Sequence, residues 1–298
     1  MSDHIAAQAT KVFMVHRDLL FTVAYEMLGS ASDAEDVLQE TWLRWVKVDF
    51  RHVHDQRSYL VRITTRQSLN RLRVMRRRKE SYIGQWLPEP LLTSPDIAED
   101  VELAESVSMA LMLVLETLSP TERAVFVLRE AFGIGYDEIA AVLGKTSAAV
   151  HQIAHRARRH VEARRPRQEV SPAEIRAALE AFQRALETLD LQGLLEVLAP
   201  DVVIISDGGG VKYAPPRSIT GANKAARFIL GGLARADVVV TFGSTVVNGN
   251  PALVLHVDGE LDGVLAAQVE GGRITGLYYV RNPAKLTHVE SEISLTLH

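Results

Sequence analysis

No cysteine occurs among the 298 residues. That excludes disulfide scaffolds, thiolate zinc sites and cysteine nucleophiles. It fits a reducing, cytoplasmic setting. Long apolar runs are missing too, since none approaches the roughly 18 residues of a membrane span. The start, MSDHIAAQAT, has neither the basic residues nor the apolar stretch of a signal peptide, so no membrane partner is expected. Nor is there an overall excess of positive charge. The net charge of −4 argues weakly against a nucleic-acid partner, but the average conceals a sorting of charge along the chain.

What is present is ordinary in bulk: 47% hydrophobic and 23% charged residues, in a length that allows about two domains. The sorting is more informative. Residues 1–168 carry 23 Lys and Arg against 22 Asp and Glu, whereas residues 169–298 carry 10 against 15. Between Asp55 and Glu80 stand nine basic residues and no acid: Arg57, Arg62, Arg66, Arg71, Arg73, Arg76, Arg77, Arg78 and Lys79. A second basic cluster is Arg156, Arg158, Arg159, Arg164, Arg165 and Arg167. A single charge run is most often a solvated helix face. Two separated runs suggest two contacts with a polyanion.

Residues 10–80 read as helical. Val12, Val15, Leu19, Val23 and Met27 share one face at helical spacing, and Gly29 ends that helix. Ser32 with Glu35 three residues on reads as a capping box. The helix that follows buries Val37, Leu38, Thr41, Trp42 and Trp45. From Ser58 to Arg78, Tyr59, Ile63, Leu69 and Leu72 alternate with the arginines. Residues 81–97 hold three prolines in GQWLPEPLLTSP and no amphipathic period, so a linker is expected. Helix returns at Ala98–Leu118. Ser119-Pro120-Thr121-Glu122 and Ser171-Pro172-Ala173-Glu174 are two further capping boxes with Pro at the first helical position. After Pro200, β-branched runs separated by Gly, Asn and Asp predict strands at Val202–Ile205, Val238–Phe242, Ala252–Val257, Val264–Val269 and Ile274–Val280. Helices followed by a mostly antiparallel sheet make an α+β pattern.

The stretch from Tyr136 to Arg159, YDEIAAVLGKTSAAVHQIAHRARR, has the layout of a helix-turn-helix. An apolar helix stops at Gly144, a polar turn follows, and a second helix runs into arginines. At 100° per residue, Val150, Ile153, Ala154, Ala157 and Val161 should face the core. Ala148, His151, Gln152, His155, Arg158 and Arg159 face the other way. The early residues, from Ser147 through His155, would meet bases, and Arg158 and Arg159 phosphates. Gln can pair with adenine and Arg with guanine. A hairpin with no DNA role is the alternative, and the lack of acids on the exposed face counts against it. The histidines have no carboxylate or thiolate partner at ligand spacing, so no metal is expected.

Asp33 and Glu35 are the acids a helix N-terminus favours. Asp36, Gln39 and Glu40 extend the polar patch into a second turn, opposite the tryptophans. A compact acidic and amide face suggests a partner protein with a basic surface.

These segments carry a resemblance. Leu28-Gly29 with Asp33 through Trp42 resembles the core-polymerase-binding segment of bacterial sigma factors. Ser119 through Arg123, Tyr136 through Ala140, Leu143-Gly144, Ala149-Val150 and Arg156 through Arg158 resemble their −35-reading domain. The order and separation are similar to the extracytoplasmic-function (ECF) group of the sigma-70 family. Trp86-Leu87-Pro88-Glu89-Pro90, Asp207-Gly208-Gly209-Gly210 with Lys212, and Asn282-Pro283-Ala284-Lys285-Leu286 resemble signatures of its SigJ-like subgroup, which carries a fused SnoaL-like domain. The resemblance implies two all-α domains, the second a helix-turn-helix, followed by an α+β SnoaL-like cone. It implies boundaries at 1–80, 81–100 (linker), 101–168 and 169–298. It implies that Asp33, Glu35, Asp36, Gln39 and Glu40 dock on the clamp of the largest subunit of core RNA polymerase. The Arg57–Lys79 helix would read and melt the −10 element, with Arg62, Arg66, Asn70, Arg73 and Arg76 as contacts. His151-Gln152-Ile153 departs from the family run at that place, which leaves the −35 base preference open. Only Tyr59 and Tyr82 offer stacking platforms near the −10 helix, so intrinsic melting should be weak.

A SnoaL-like cup commonly holds a small molecule, and Asp207, His256, Tyr278 and Tyr279 are the candidates for chemistry. No pair of them has a spacing that demands acid/base work, so neither catalysis nor a cofactor is expected. A regulatory role fits the acidic domain better, with Trp86, Pro88, Glu89, Asp207, Gly208, Lys212, Asn282, Pro283 and Lys285 as docking elements. The expected protein is a promoter-specificity subunit of polymerase, monomeric when free. The alternatives are a stand-alone ligand-responsive regulator, or a cyclase- or isomerase-type enzyme with a DNA-binding appendage.

Overall fold

A computed structural model describes residues 2–94, 101–164, 170–235, 238–289 and 292–297. These form two compact units. The first comprises Met1–Glu80, Val114–Arg165 and Ser294–His298, and the second Ser81–Leu113 and Pro166–Ile293.

In the first unit, helices α1 (Ser2–Leu28), α2 (Ala31–Trp45) and α3 (Gln56–Glu80) come first. Gly29 at φ +67° ends α1. The cap of α2 is Ser30, not Ser32: its Oγ accepts from Asp33 N at 3.1 Å. The chain reverses at Gly29, so Ser30 is the last extended residue and Ser32 already lies inside the helix. Glu35 therefore turns to Arg17, at 2.6 Å, instead of closing a box. The expected face of α1 holds for Leu19, Val23 and Met27, all buried, but Val15 is 74% exposed. From Leu19 to Ser30 every residue is buried, because that half of the helix is covered on all sides. The N-terminal half is covered on one side only, through Ala9 and Phe13. Trp45 is fully buried and donates from Nε1 to Ala9 O at 2.8 Å. Trp42 donates to Thr10 Oγ1 at 3.3 Å.

Helices α4 (Val101–Ser106), in the second unit, and α5 (Met109–Glu116), whose residues up to Leu113 also belong to it, replace the single helix expected over 98–118, with a break at Val107-Ser108. Ala98–Asp100 lie outside the described residues. The Ser119 capping box opens α6 (Pro120–Phe126) as expected, and a π-turn, Val127–Ala131, extends it. Then come α7 (Tyr136–Leu143) and α8 (Ser147–Glu162). Gly144 joins them at φ +64°, a left-handed conformation that a side chain would strain. Thr146 caps α8 through Ala149 N at 3.2 Å. Val150, Ile153, Ala154, Ala157 and Val161 are all buried, as the helical period requires.

The second unit is α+β. The Ser171 capping box opens α9 (Pro172–Glu187), followed by α10 (Leu191–Val197). Six strands follow: β1 (Leu198–Asp207), β2 (Ile219–Thr220), β3 (Val240–Val247), β4 (Asn250–Val257), β5 (Glu260–Glu270) and β6 (Arg273–Val280). Helix α11 (Ala222–Arg235) lies between β2 and β3. The sheet order is β2-β1-β6-β5-β4-β3, antiparallel except for the parallel β1–β6 pair. Four of the five expected strand runs fall within these strands, and the fifth, Val238–Phe242, overlaps β3 only from Val240. The two-residue β2 and helix α11 were not foreseen.

Alternation along the strands feeds two cores. Leu253, Leu265 and Leu277 point to the face packed by Ile175, Leu179 and Phe182 of α9. Their neighbours Ala252, Val264, Ala266 and Tyr278 point to the other face, where Leu87, Met109 and Leu286 cover them. The proline-rich segment is therefore not an exposed linker. Leu87 and Leu91 are fully buried. Leu92 pairs with Val247, and Thr93 N donates to Val246 O at 3.0 Å. Its prolines forbid helix, which leaves the extended backbone that such pairing needs. Residues 95–100 lie outside the described chain.

Candidate polymerase and promoter surfaces and the linker clasp

The acidic face of α2 is held by its neighbours. Arg71 of α3 makes ion pairs with both Asp33 and Asp36. Gln67 Nε2 donates to Glu40 at 2.8 Å. Asp33 and Glu35 therefore tie α2 to α3 and α1. Asp36, Gln39 and Glu40 stand exposed. Asp33 is the least available of the five, with a side chain 14% exposed.

The basic helix α3 divides its cations. Asn70, Arg73 and Arg76 are exposed, and Arg73 donates to Asn70 Oδ1 at 3.1 Å. The Arg62 guanidinium lies 4.7 Å from the Tyr59 ring centre, a cation–π contact. Arg66 is engaged elsewhere, donating to Val142 O at 3.0 Å and Ala141 O at 3.3 Å. It thus caps the carbonyl end of α7, where a cation is favoured. Arg123 is 2% exposed and pairs with Glu116, which also pairs with Lys79. Arg123 Nε donates to Glu26 O at 3.0 Å. Tyr82 belongs to the second unit, where its hydroxyl donates to Asp207.

On α8, His151, Gln152, His155 and Arg159 are exposed and Ser147 is half-buried. Arg158 is held by Glu130, with Nη2 to Oε1 at 2.6 Å. His151 lies against Tyr136 of α7, with ring centres 3.6 Å apart and planes tilted by 32°.

In the second unit, Asp207 is the centre of a buried clasp. It is fully buried and accepts from four donors: Tyr82 OH at 2.6 Å, Leu87 N at 2.9 Å, Gly209 N at 3.0 Å and Lys285 Nζ at 2.7 Å. Lys285 also donates to Leu87 O at 2.6 Å and sits over the Trp86 and Tyr82 rings. Asn282 donates to Tyr82 OH at 2.8 Å and caps the Pro283–Lys285 turn by accepting from Ala284 N. A Cβ on Gly208 would meet Lys212 O at 2.0 Å, so only glycine fits. Pro88 and Glu89 are buried, with His288 Nδ1 4.0 Å from the Glu89 carboxylate. Burial, and then the Asp207 carboxylate, push Tyr82 well above the usual phenol range. It therefore acts as a donor at any physiological pH.

Two further polar centres of the second unit were not anticipated. Asn248, at the tip of the β3–β4 hairpin with φ +53°, accepts from Leu91 N at 3.0 Å and donates to Val107 O at 2.8 Å. Its Asn-Gly dipeptide was a readable turn signal, but its partners were not. The other is Asp262, which accepts from Tyr279 OH, Arg281 and Lys212. Lys212 thus serves Asp262 rather than the linker. Burial raises Asp262, but the bonds from Arg281, Tyr279 and Lys212 outweigh it and hold the carboxyl at about 2. A carboxyl depressed on folding stabilises above its unfolded pKa, near 3.8. That stability is lost as pH falls through the folded value. Stability should therefore fall between about pH 4 and pH 2. Asp262→Asn should flatten that limb of an acid titration followed by circular dichroism.

The enzyme candidates are similarly committed. Tyr278 OH donates to Gln268 at 2.6 Å and burial pushes it up to about 12. Tyr279 donates to Asp262. His256 is half-buried on β4.

Residues 12–78 match sigma-70 region 2, and residues 108–161 match sigma-70, region 4. The chain is 34% identical over 296 residues to the ECF RNA polymerase sigma factor SigJ of Mycobacterium tuberculosis, with 92% of each covered. It is 33% identical to the probable ECF RNA polymerase sigma factor SigI of the same species, covering 98% of this chain and 99% of that one. The crystal structure of M. tuberculosis SigJ aligns with a TM-score of 0.76 at 33% identity, covering 94% of this chain and 98% of that one. Among the described residues no helix is long and apolar enough to cross a membrane. With the acidic α2, the basic α3 and the helix-turn-helix in family order, the chain belongs to the ECF sigma factors of the sigma-70 family, alternative sigma factors that direct promoter-specific transcription initiation.

Proposed function

We propose that the C-terminal domain restrains initiation by holding the connector between the two DNA-reading parts. The observation that carries this is the buried Asp207 clasp on Tyr82 and Leu87. The −10 and −35 elements lie about 25 base pairs apart, or roughly 80 Å at ~3.4 Å per pair. Yet α3 and α7 touch, through Arg66 and the carbonyls of Val142 and Ala141. The readers cannot serve both elements in that arrangement. The connector, Ser81–Leu113, would reach roughly 110 Å if extended at ~3.3–3.6 Å per residue. It has the length, but it is built into the second unit. Releasing it frees the readers.

In this reading Asp36, Gln39 and Glu40 meet the polymerase clamp, while Asp33 and Glu35 hold α2 in place. Arg62, Asn70, Arg73 and Arg76 meet the −10 element, joined by Arg66 once it leaves α7. Ser147, His151, Gln152, His155 and Arg159 meet the −35 element. Arg158 joins them if it exchanges Glu130 for phosphate. One chain supplies both readers, so a monomer suffices.

The C-terminal domain acts without catalysis. A general base needs a pKa near working pH, whereas Asp262 is held ionised by two cations and the buried tyrosines are locked as donors.

Run-off transcription with core polymerase tests the proposal. The full chain should support specific initiation, and variants that open the clasp should raise it. Equal output from clasp variants would remove the regulatory part. The double variant Asp36→Ala, Gln39→Ala should weaken core binding by roughly ten- to a hundredfold, measured by competition. Its stability should stay close to the parent's, because Asp33 still holds Arg71.

A further inference from the structure

We propose that Tyr136 is the residue that positions His151 for reading the −35 element. The inference rests on α8 being the −35 reader. His151 is exposed on α8 and is short and planar. A free imidazole on a helix surface samples several rotamers and would discriminate bases poorly. Here its ring is laid against Tyr136, at 3.6 Å between centres and 32° between planes.

Tyr136 is itself fixed. It sits in the first turn of α7, half-buried, and the Arg129 guanidinium lies 4.7 Å from its ring centre. Arg129 in turn donates to Ile134 O at 3.2 Å. The chain Arg129–Tyr136–His151 therefore transmits order from the turn before α7 to the exposed face of α8. The imidazole edge left open offers a ring N–H. In the major groove its match is the N7 acceptor of a purine. Neighbouring Gln152 is free to read an adenine beside it.

Selection from a −35-randomised promoter library, with holoenzyme assembled from the full chain, tests this. The wild type should select a purine at one position. His151→Ala should reduce that preference roughly tenfold, a larger loss than it causes for unselected sequences. Tyr136→Leu should reduce the same preference by roughly three- to tenfold, the worth of a ring contact. Tyr136→Phe, which keeps the contact, should keep the preference. Adding Tyr136→Leu to His151→Ala should cost no further selectivity.

Tyr136→Leu weakening all sequences alike, or leaving the preference intact, would overturn the inference. If Tyr136→Leu does not fold, the surface variant His151→Ala decides, and an unchanged selected base sinks the idea. If the wild type shows no −35 preference at all, the fault lies earlier, with α8 as the −35 reader.

Discussion

Replacing Asp207 by alanine is expected to detach the segment Tyr82–Leu91 from the C-terminal unit and to raise promoter output. The carboxylate is fully buried and serves four donors. Removing it takes from the buried Lys285, 6% exposed, the carboxylate it pairs with. Breaking such a pair from one side costs about 3–5 kcal/mol. The neutral donors Tyr82 OH and Leu87 N also lose their acceptor, at about 1–3 kcal/mol each if they stay buried. The chain escapes that cost by letting the segment go. Amide hydrogen exchange should therefore accelerate at Leu87 and Leu91 well before the sheet opens. Tyr82→Phe removes a single bond and should shift both readouts the same way, by less. Unchanged exchange at Leu87 would mean that Asp207 does not hold the segment.

Replacing Glu116 by alanine should have a comparable effect on the first unit. Burial pushes this carboxyl up, but Arg123 and Lys79 outweigh it and leave the pKa lowered. Its contribution is therefore present at neutral pH and lost on acidification through the carboxylate range. Glu116 joins Lys79 at the end of α3 to Arg123 of α6, so it fastens α3, proposed above as the −10 reader, to the helices that carry the proposed −35 reader. Without it, Arg123 remains buried against Glu26 O with no counter-charge. A loss of about 3–5 kcal/mol is expected, visible in denaturant unfolding. Fluorophores at the exposed positions Arg73 and His155 should move apart. Glu116→Gln keeps an acceptor and should lose less. A variant with the parent's stability and label distance would show that this triad does not hold the readers together.

Much of this was legible in the residues because local rules decide local structure. The Ser119 and Ser171 boxes and the Gly144 break follow from backbone hydrogen-bond needs at helix ends. The buried stripe of α8 follows from a period of 3.6, and the five main strands follow from β-branched runs and turn residues. The errors arose where packing overrules the local signal. Ser30 displaced Ser32 as cap because the reversal at Gly29 placed it one step outside the helix. Val15 stayed exposed because α1 outgrows its neighbours. GQWLPEPLL reads as a linker since it lacks an amphipathic period, but extended chain buries side chains without one when a sheet face and an edge strand receive it.

The sequence by itself determined the family, the order of the parts and the surfaces on offer: the acidic face of α2, the arginines of α3 and the exposed edge of α8. These are runs of nearby residues whose chemistry needs no fold to be recognised. Only the tertiary structure decided which of those groups are engaged. Arg71 is spent on Asp33 and Asp36, Arg66 on the end of α7, and Lys212 on Asp262. Asp207 meets Tyr82, 125 residues away in sequence. Such pairings depend on which sheet face and which helix end meet in space, and no local pattern carries that information.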